Sequence, residues 1–302
     1  MVGYTVEPAS PARLDQAVCL LLGLDPRTDA HSQRAERFHD WMKRQGLRPI
    51  YQALWRRRPV AAATVMANPG RTGMLVHSPC WVCRTRKTAL IQAIRVASQN
   101  ALDSGLAFVQ TLISPQDEQT RPLLERAGYV RLTELIYMRL GLSAGAPPAR
   151  NDLEWRGAPE PPQAVLESTI AATYEDSLDC PALAGLRSLS DVVEGHRSSG
   201  LFRPEWWWVA FCNGQPAGCV LVNDVASTNR ADIVYLGVAK AWRRHGIGQA
   251  LLGRAARLAK QAGKSALTLA VDAANTPAIA LYDGYGFERT DRRLAMVYLA
   301  KS

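Results

Sequence analysis

Residues 243–249, Arg-Arg-His-Gly-Ile-Gly-Gln, have the make-up of an anion site. They follow an apolar run, Ile233–Val238, that reads as a strand. They precede apolar residues at Ile247, Ala250, Leu251, Ala255, Leu258 and Ala262, which recur with a helical period. A helix start exposes unpaired backbone N–H groups and the positive end of the helix dipole, so it attracts a phosphate. Gly246 and Gly248 carry no Cβ and let the backbone approach an anion. Arg243 and Arg244 add charge at the rim, and Gly263 is placed to close the helix. The spacing excludes two common phosphate loops. No Lys-Ser/Thr pair follows the glycines, as a P-loop requires, and Gly253 is out of register for a dinucleotide fingerprint. What remains is Arg243-x-x-Gly246-x-Gly248, either an anion loop or a plain glycine turn before a helix.

Further along, Asn275-Thr-Pro277 reads as a helix start, in which Asn275 caps the helix, meets a ligand, or does both. Tyr282 in that helix is a phenol, protonated at neutral pH and able to donate a proton, or else a core residue packed on the sheet. Proton acceptors are offered by Asp232 and Tyr235 on the strand, and by Glu175-Asp176-Ser-Leu-Asp179 between two helices; such residues are ordinarily surface or capping groups. His196, near a helix end, reads as a partner of the helix dipole. In Trp206-Trp207-Trp208, alternation puts 206 and 208 on one face and 207 on the other, for core packing or for an aromatic wall to a pocket. Cys80-x-x-Cys83 has no second pair to complete a metal site. Cys19, Cys180, Cys212 and Cys219 read as small apolar residues, and no metal is expected.

The elements that must position these groups occur twice in the same order. Residues 3–7 form a strand and 11–22 and 29–45 helices. Ile50–Trp55 and Val60–Met66 form a hairpin around Arg56-Arg57-Arg58-Pro59, and Met74–His77 a third strand. A helix from Thr85 to Ser104, a strand Leu106–Ile113, a helix Gln116–Ala127 and closing strands Tyr129–Arg131 and Leu135–Leu140 follow. Gly141–Arg150, rich in small residues and proline, reads as a linker. The second pass comprises a strand Asp152–Arg156, helices 161–174 and 183–199, and a hairpin Glu205–Cys212/Ala217–Asn223 on Asn213-Gly214. The strand and helix around the glycine loop come next, then Ala266–Asp272, the Asn275 helix, and closing strands Tyr285–Arg289 and Leu294–Leu299. One element order repeated predicts two copies of one α/β fold, at 1–140 and 151–302.

Arg243-x-x-Gly246-x-Gly248, one helix and one strand upstream of Asn275-x-x-Ala278-x-x-Leu281-Tyr282 and Gly286-Phe287, resembles the two-part signature of the GNAT N-acetyltransferase superfamily; the joint match covers about 60 residues. The doubled layout resembles tandem GNAT proteins, each copy a mixed sheet with helices. The resemblance implies acetyl-CoA as cosubstrate and transfer of its acetyl group to an amine. It implies a splayed strand whose Leu236, Gly237 and Val238 line the pantetheine arm, one backbone N–H there serving as oxyanion donor. It places the pyrophosphate on Arg243, Arg244, His245, Gly246, Ile247, Gly248 and Gln249, puts Asn275 on the arm, and makes Tyr282 the proton donor to the departing thiolate. The base is not fixed by the motif; Asp232, Tyr235 and Asp179 are its candidates, and the 175–179 loop borders the acceptor side. The first copy departs from the pattern. Ser78-Pro-Cys-Trp-Val-Cys-Arg-Thr-Arg-Lys87 has no glycine pair, and Gln116–Leu124 aligns neither the Asn nor the Tyr, so coenzyme binding is expected of the second copy, with Arg84, Arg86 and Lys87 of the first a solvated helix start or, as the secondary reading, partners for phosphates.

The 302 residues, 47% apolar, are enough for two domains. No apolar run reaches a membrane span, the N-terminus lacks the blocks of a signal peptide, and a cytoplasmic protein is expected. The formal charge of +9 is unevenly placed, for residues 1–150 hold 20 Lys and Arg against 11 Asp and Glu, and residues 151–302 hold 16 of each. Arg56–Arg58 beside Trp55 make a polyanion such as nucleic acid a secondary candidate partner, and a solvated hairpin tip the plainer reading. The acceptor amine is expected on a small molecule; a protein N-acetyltransferase, or a coenzyme-sensing binding protein docked through its basic first copy, are the rival readings.

Overall fold

The computed structural model describes residues 4–25, 33–38, 40, 49–80, 87–142, 153–157, 162–225 and 228–300. The chain forms two compact units, Met1–Leu132 with Leu294–Ser302, and Thr133–Arg293. Unit 1 contains β1 (Thr5–Pro8), α1 (Leu14–Leu22), helical residues 33–38 (α2), β2 (Tyr51–Trp55), β3 (Arg58–Asn68) and β4 (Thr72–His77). It continues with α3 (Lys87–Asp103), β5 (Phe108–Ile113) and α4 (Thr120–Ala127). The β2–β3 hairpin turns on Arg56 and Arg57, at φ 49° and 64°, the left-handed pair whose twist suits a two-residue hairpin. Leu90 and Ile94 of α3 and Leu124 of α4 are buried against Val65 and Leu75 on one face of the sheet, and Val18 and Leu21 of α1 against Ile50 and Ala62 on the other.

Unit 2 takes most of β6 (Val130–Gly141) and contains β7 (Glu154–Arg156), α5 (Gln163–Tyr174), α6 (Leu189–Arg197), β8 (Trp207–Cys212) and β9 (Gln215–Val225). Then come β10 (Arg230–Val238), α7 (Ile247–Gln261), β11 (Ala266–Asp272), α8 (Thr276–Tyr285) and the first half of β12 (Glu288–Leu299). Its strands run β7-β8-β9-β10-β11-β6. Ile247, Leu251 and Tyr282 of α7 and α8 pack one face, and Leu166, Ile170 and Val193 of α5 and α6 the other. Trp206 and Trp208 pack on the first face and Trp207 on the second, as alternation requires, although Pro204–Trp206 is a 3-10 turn and the strand begins at Trp207.

The units repeat one another, but their borders fall at 132/133 and 293/294 rather than around 141–150. The pairs of short closing strands read from the sequence are each one continuous strand, β6 and β12. Residues Leu135–Gly141 of β6 pair with β11, and Ile136 and Met138 enter the core of unit 2. Residues Leu294–Leu299 of β12 pair with β5, and Leu294, Met296 and Tyr298 enter the core of unit 1. Each unit therefore takes its sixth strand from the part of the sequence assigned to the other. Residues 143–150 of the expected linker, Cys83, Arg84, Arg86 and most of the expected helix 29–45 lie outside the described residues.

Candidate active site

Strands β10 and β11 are parallel neighbours for only three residues, Arg230–Asp232 against Ala266–Thr268. β10 stays paired with β9 through Val238, and β11 with β6 through Asp272, so the two strands part beyond Asp232 and leave a fork. The parting has a local cause. The register of β10 on β9 slips between Ile233 and Tyr235, a bulge at Val234 that adds twist and bends the strand. Alternate N–H and C=O groups of residues 233–238 point away from β9 into the fork, where backbone polar groups need a partner.

Beyond Val238 the chain turns through Lys240–Trp242 and reaches α7 with Arg244 at φ 68° and Gly246 at φ 75°. The left-handed turn directs the first N–H groups of α7, at Ile247, Gly248 and Gln249, out of the helix with no intrahelical acceptor. Arg244 is exposed and has no side-chain partner among the described residues, and Gln249 is exposed beside it. His245 Nδ1 donates to the Arg243 carbonyl over 2.8 Å, which fixes the ring on the loop. Gly248 is needed for packing as well: a Cβ there would sit 2.8 Å from Leu281 Cδ2 of α8.

Arg243 departs from its expected place at the rim. Its guanidinium turns inward and donates to the carbonyls of Glu175 (2.6 Å), Thr173 (3.1 Å) and Asp176 (3.2 Å), while Nε donates to Val238 O (3.3 Å). It thus caps the C-terminal end of α5, where a cation also suits the helix dipole. Unsatisfied helix-end carbonyls lie close enough to hold the guanidinium on the end of α5. Lys240 adds ion pairs to Glu175 (2.7 Å) and Asp176 (2.8 Å), and Asp176 is held below the usual carboxylate range by Lys240.

The segment 175–180 is pinned at its other end too. Asp272, the buried last residue of β11, accepts from Cys180 N at Oδ2 (3.0 Å), and from Ala274 N (2.8 Å) and Thr133 Oγ1 (2.5 Å) at Oδ1. Residues 175–180 therefore form a strap that crosses the mouth of the fork, from the chain just after β10 to the end of β11. The strap carries Asp179. Although Asp179 as a residue is exposed, its carboxyl is packed in, and that burial, followed by the charge of Asp272, pushes its pKa up. Asp179, Cys180 and Asp272 gather their ligand atoms within 4.8 Å of one another, but the oxygens of Asp272 already accept protein donors.

Tyr282 is buried on α8 with its ring 5.7 Å from that of Phe287. Burial, then the charge of Asp179, holds its hydroxyl far above the usual phenol range, so it stays protonated. That hydroxyl makes no hydrogen bond to a described residue. Asn275 caps α8, accepting from Ala278 N (3.3 Å). Asp232 lies at the floor of the fork and accepts from Thr268 Oγ1 (2.6 Å); burial raises its pKa. Tyr235 faces α5 and shares a 2.5 Å hydrogen bond with Thr173 Oγ1, with burial holding it protonated, so it supports the sheet–helix contact and is a poor base. Gly237 allows that contact, since a Cβ would lie 2.8 Å from Thr173. Leu236 and Val238 pack on the α7–α8 side. His196 is no dipole partner: its ring packs 5.1 Å from that of Tyr235, and burial, then Arg187, pushes its pKa down to about 4, leaving it neutral.

Sequence reasoning did not find the strap's anchors, Asp272, Lys240 and the inward Arg243. An Asp that ends a strand before Ala-Ala-Asn signals an Asx turn, and Asp272 makes one to Ala274, but nothing local announces a partner 92 positions away.

The sequence model of the Acetyltransferase (GNAT) family matches residues 171–287, a span that holds the fork, the loop, the strap and Tyr282. A tandem GNAT protein from the clavulanic acid biosynthesis pathway shares the fold over 99% of this chain and 99% of its own, at a TM-score of 0.55 and 15% identity. The chain has a tandem GNAT fold. A GCN5-related N-acetyltransferase from Sphaerobacter thermophilus aligns over 99% of this chain and 96% of its own, with a TM-score of 0.62 and 20% identity. The N-acetyltransferase family 8 members 7 and 3 of Mus musculus are each 28% identical over 106 residues, or 34% of this chain; the match spans less than half of their length, 45% and 46%.

Unit 1 of the tandem GNAT fold repeats the fork, and residues 81–86, which precede its α3, lie outside the described residues. β4 and β5 are parallel only over Thr72–Met74 and Phe108–Gln110. Across that mouth Cys80 Sγ, just after β4, lies 3.3 Å from Thr120 Oγ1, the start of α4. His77 beside it is held below its ordinary range by burial. No helix among the described residues is long and apolar enough to cross a membrane.

Proposed function

We propose that unit 2 transfers an acetyl group from acetyl-CoA to a primary amine by direct attack. The observation that carries this reading is the fork opened by the Val234 bulge, bordered by the start of α7 and by Tyr282. An extended pantetheine arm has amides of the right kind for the exposed backbone groups of Leu236, Gly237 and Val238. The pyrophosphate suits the N–H groups from Ile247 to Gln249 with Arg244 as the exposed cation. Aligning two reactants and stabilising the oxyanion supply most of the rate. The amine nitrogen bonds to the carbonyl carbon, and the displaced electron pair rests on an oxygen met by a backbone N–H of β10. The carbonyl re-forms as the carbon–sulfur bond breaks, the thiolate takes the proton of Tyr282, and the surplus proton on the attacking nitrogen passes to the phenolate, which restores Tyr282 and leaves the neutral amide. A free amine of pKa near 10 is mostly protonated at neutral pH; Asp179, with its raised pKa, is the proposed acceptor of that proton and Asp232 the second. The strap across the mouth narrows the approach and favours a small molecule over a folded protein.

Calorimetric titration of acetyl-CoA into the full chain and into Arg244→Glu tests the reading. One site is expected, weakened on the order of tenfold by the substitution and less so at high salt. Two sites would assign coenzyme binding to unit 1 as well; no site in the unaltered chain would overturn the proposal.

A further inference from the structure

The strap and its continuation carry three of the five large hydrophobic side chains that stand exposed among the described residues: Tyr174 (37%), Leu178 (48%) and Leu186 (37%). Pro181, Ala182 and Ala184 between them are exposed as well. Apolar side chains scattered singly over a surface need no explanation, whereas a contiguous group of them marks a binding surface. Leu178 lies on the segment 175–180, pinned at both rims of the fork by Arg243 and Lys240 at one end and by Asp272 at the other; Tyr174 immediately precedes that segment, and Leu186 lies six residues past its last anchor.

The charge on the segment is equally selective. Of its three carboxylates, Glu175 and Asp176 are paired with Lys240. Asp179 has no cationic partner among the described residues, and its charge is felt by three phenols, Tyr174, Tyr235 and Tyr282. Asp272, within 4.8 Å of Asp179, already accepts from three protein donors, which leaves Asp179, next to the exposed Leu178, as the carboxylate open to one ammonium group. A polyamine or basic peptide would call for several unpaired carboxylates, and a sugar for a row of neutral polar side chains. The exposed uncharged side chains between Tyr174 and Leu186, those of Leu178, Pro181, Ala182 and Ala184, are apolar.

We infer that the acceptor is a small primary amine on an apolar body, branched aliphatic or aromatic, with Asp179 receiving the ammonium and Tyr174, Leu178 and Leu186 the apolar part. The inference rests on the acetyl-transfer reading and names its substrate class.

The test uses the full chain, acetyl-CoA and release of free thiol. Initial rates are compared for propylamine through hexylamine, for 2-phenylethylamine, and for ethanolamine, glucosamine, spermidine and a lysine tripeptide. The expected kcat/KM rises about three- to fourfold per added methylene, 2-phenylethylamine exceeds ethanolamine by on the order of thirtyfold or more, and Leu178→Asn flattens the series while calorimetric affinity for acetyl-CoA stays unchanged. A flat series, or a higher kcat/KM for glucosamine, spermidine or the peptide, overturns the inference and leaves acetyl transfer standing. Acetyl-CoA bound without turnover of any amine overturns the inference too, and absence of both binding and turnover removes the acetyl-transfer reading with it. A dimer in solution that Leu178→Asn abolishes would assign the apolar surface to a second copy and refute the substrate assignment.

Discussion

Arg243→Ala separates two duties for one motif residue. If the arginine held the pyrophosphate, its loss would weaken acetyl-CoA and leave stability alone. The structure gives it to the carbonyls of Thr173, Glu175, Asp176 and Val238, two of the contacts at 2.6 and 3.1 Å and two longer. A hydrogen bond from a charged donor contributes about 1.5–3 kcal/mol when well made and less when half-exposed. Counting the two short bonds at the low end, with a few tenths of a kcal/mol for the dipole of α5, gives a loss of about 3 kcal/mol. For a unit of this size that corresponds to a fall of about 6–12 °C in the melting transition of unit 2. Differential scanning calorimetry reads the transition, and titration of acetyl-CoA well below it reads the affinity, expected to change less than about threefold once folded protein is counted. A transition within 1 °C of the original together with at least tenfold weaker acetyl-CoA binding would refute the clamp and restore the ligand role.

Three further outcomes are expected. Tyr282→Phe should lower kcat by about a hundredfold or more with little change in the KM for acetyl-CoA, and should leave stability nearly unchanged, because the hydroxyl has no partner to lose; stopped-flow thiol release and a thermal melt check both. Asp179→Asn should remove the acidic limb of the kcat/KM profile, since the base is active only above its raised pKa. The same substitution should stabilise the protein at neutral pH: a raised folded pKa means the folded state binds protons more tightly than the unfolded chain, so the ionised carboxylate is a burden above that pKa, and the gain should vanish below about pH 4, where both states are protonated. A chain ending at Arg293 lacks the strand Leu294–Leu299, of which residues 294–298 are buried; removing several such side chains at about 2–5 kcal/mol each is comparable with the 5–15 kcal/mol by which a domain is stable, and scanning calorimetry should show the transition of unit 1 absent and that of unit 2 retained.

The parts of the fold that depend on neighbours in sequence were legible. The start of α7 at Ile247, β11 at Ala266–Asp272, the Asn275 cap and the Asn213-Gly214 hairpin follow from period, capping and turn chemistry. The exchange of sixth strands was not, because Leu135–Leu140 and Leu294–Leu299 are both short, largely apolar runs of strand length and either could close either sheet; partner choice lies in long-range packing. The same division holds in the site. Gly246 and Tyr282 announce themselves by spacing, while the roles of Arg243, Asp272 and Lys240 depend on carbonyls and carboxylates brought from far along the chain. His196 misled for the same reason, since its neutrality comes from burial against Tyr235.

The borrowed strand of unit 1 also sets a timetable. A ribosome that has finished residue 132 must add roughly 160 more before Leu294–Leu299 exist, on the order of 10–30 s at about 5–20 residues per second. During that interval the edge of β5 that β12 will occupy has no partner from its own end of the chain, and an open edge recruits other strands. Unit 2 already has its sixth strand, β6, made before the rest of it, so its sheet can close as β11 emerges. The half that comes first off the ribosome is the half that must be finished last.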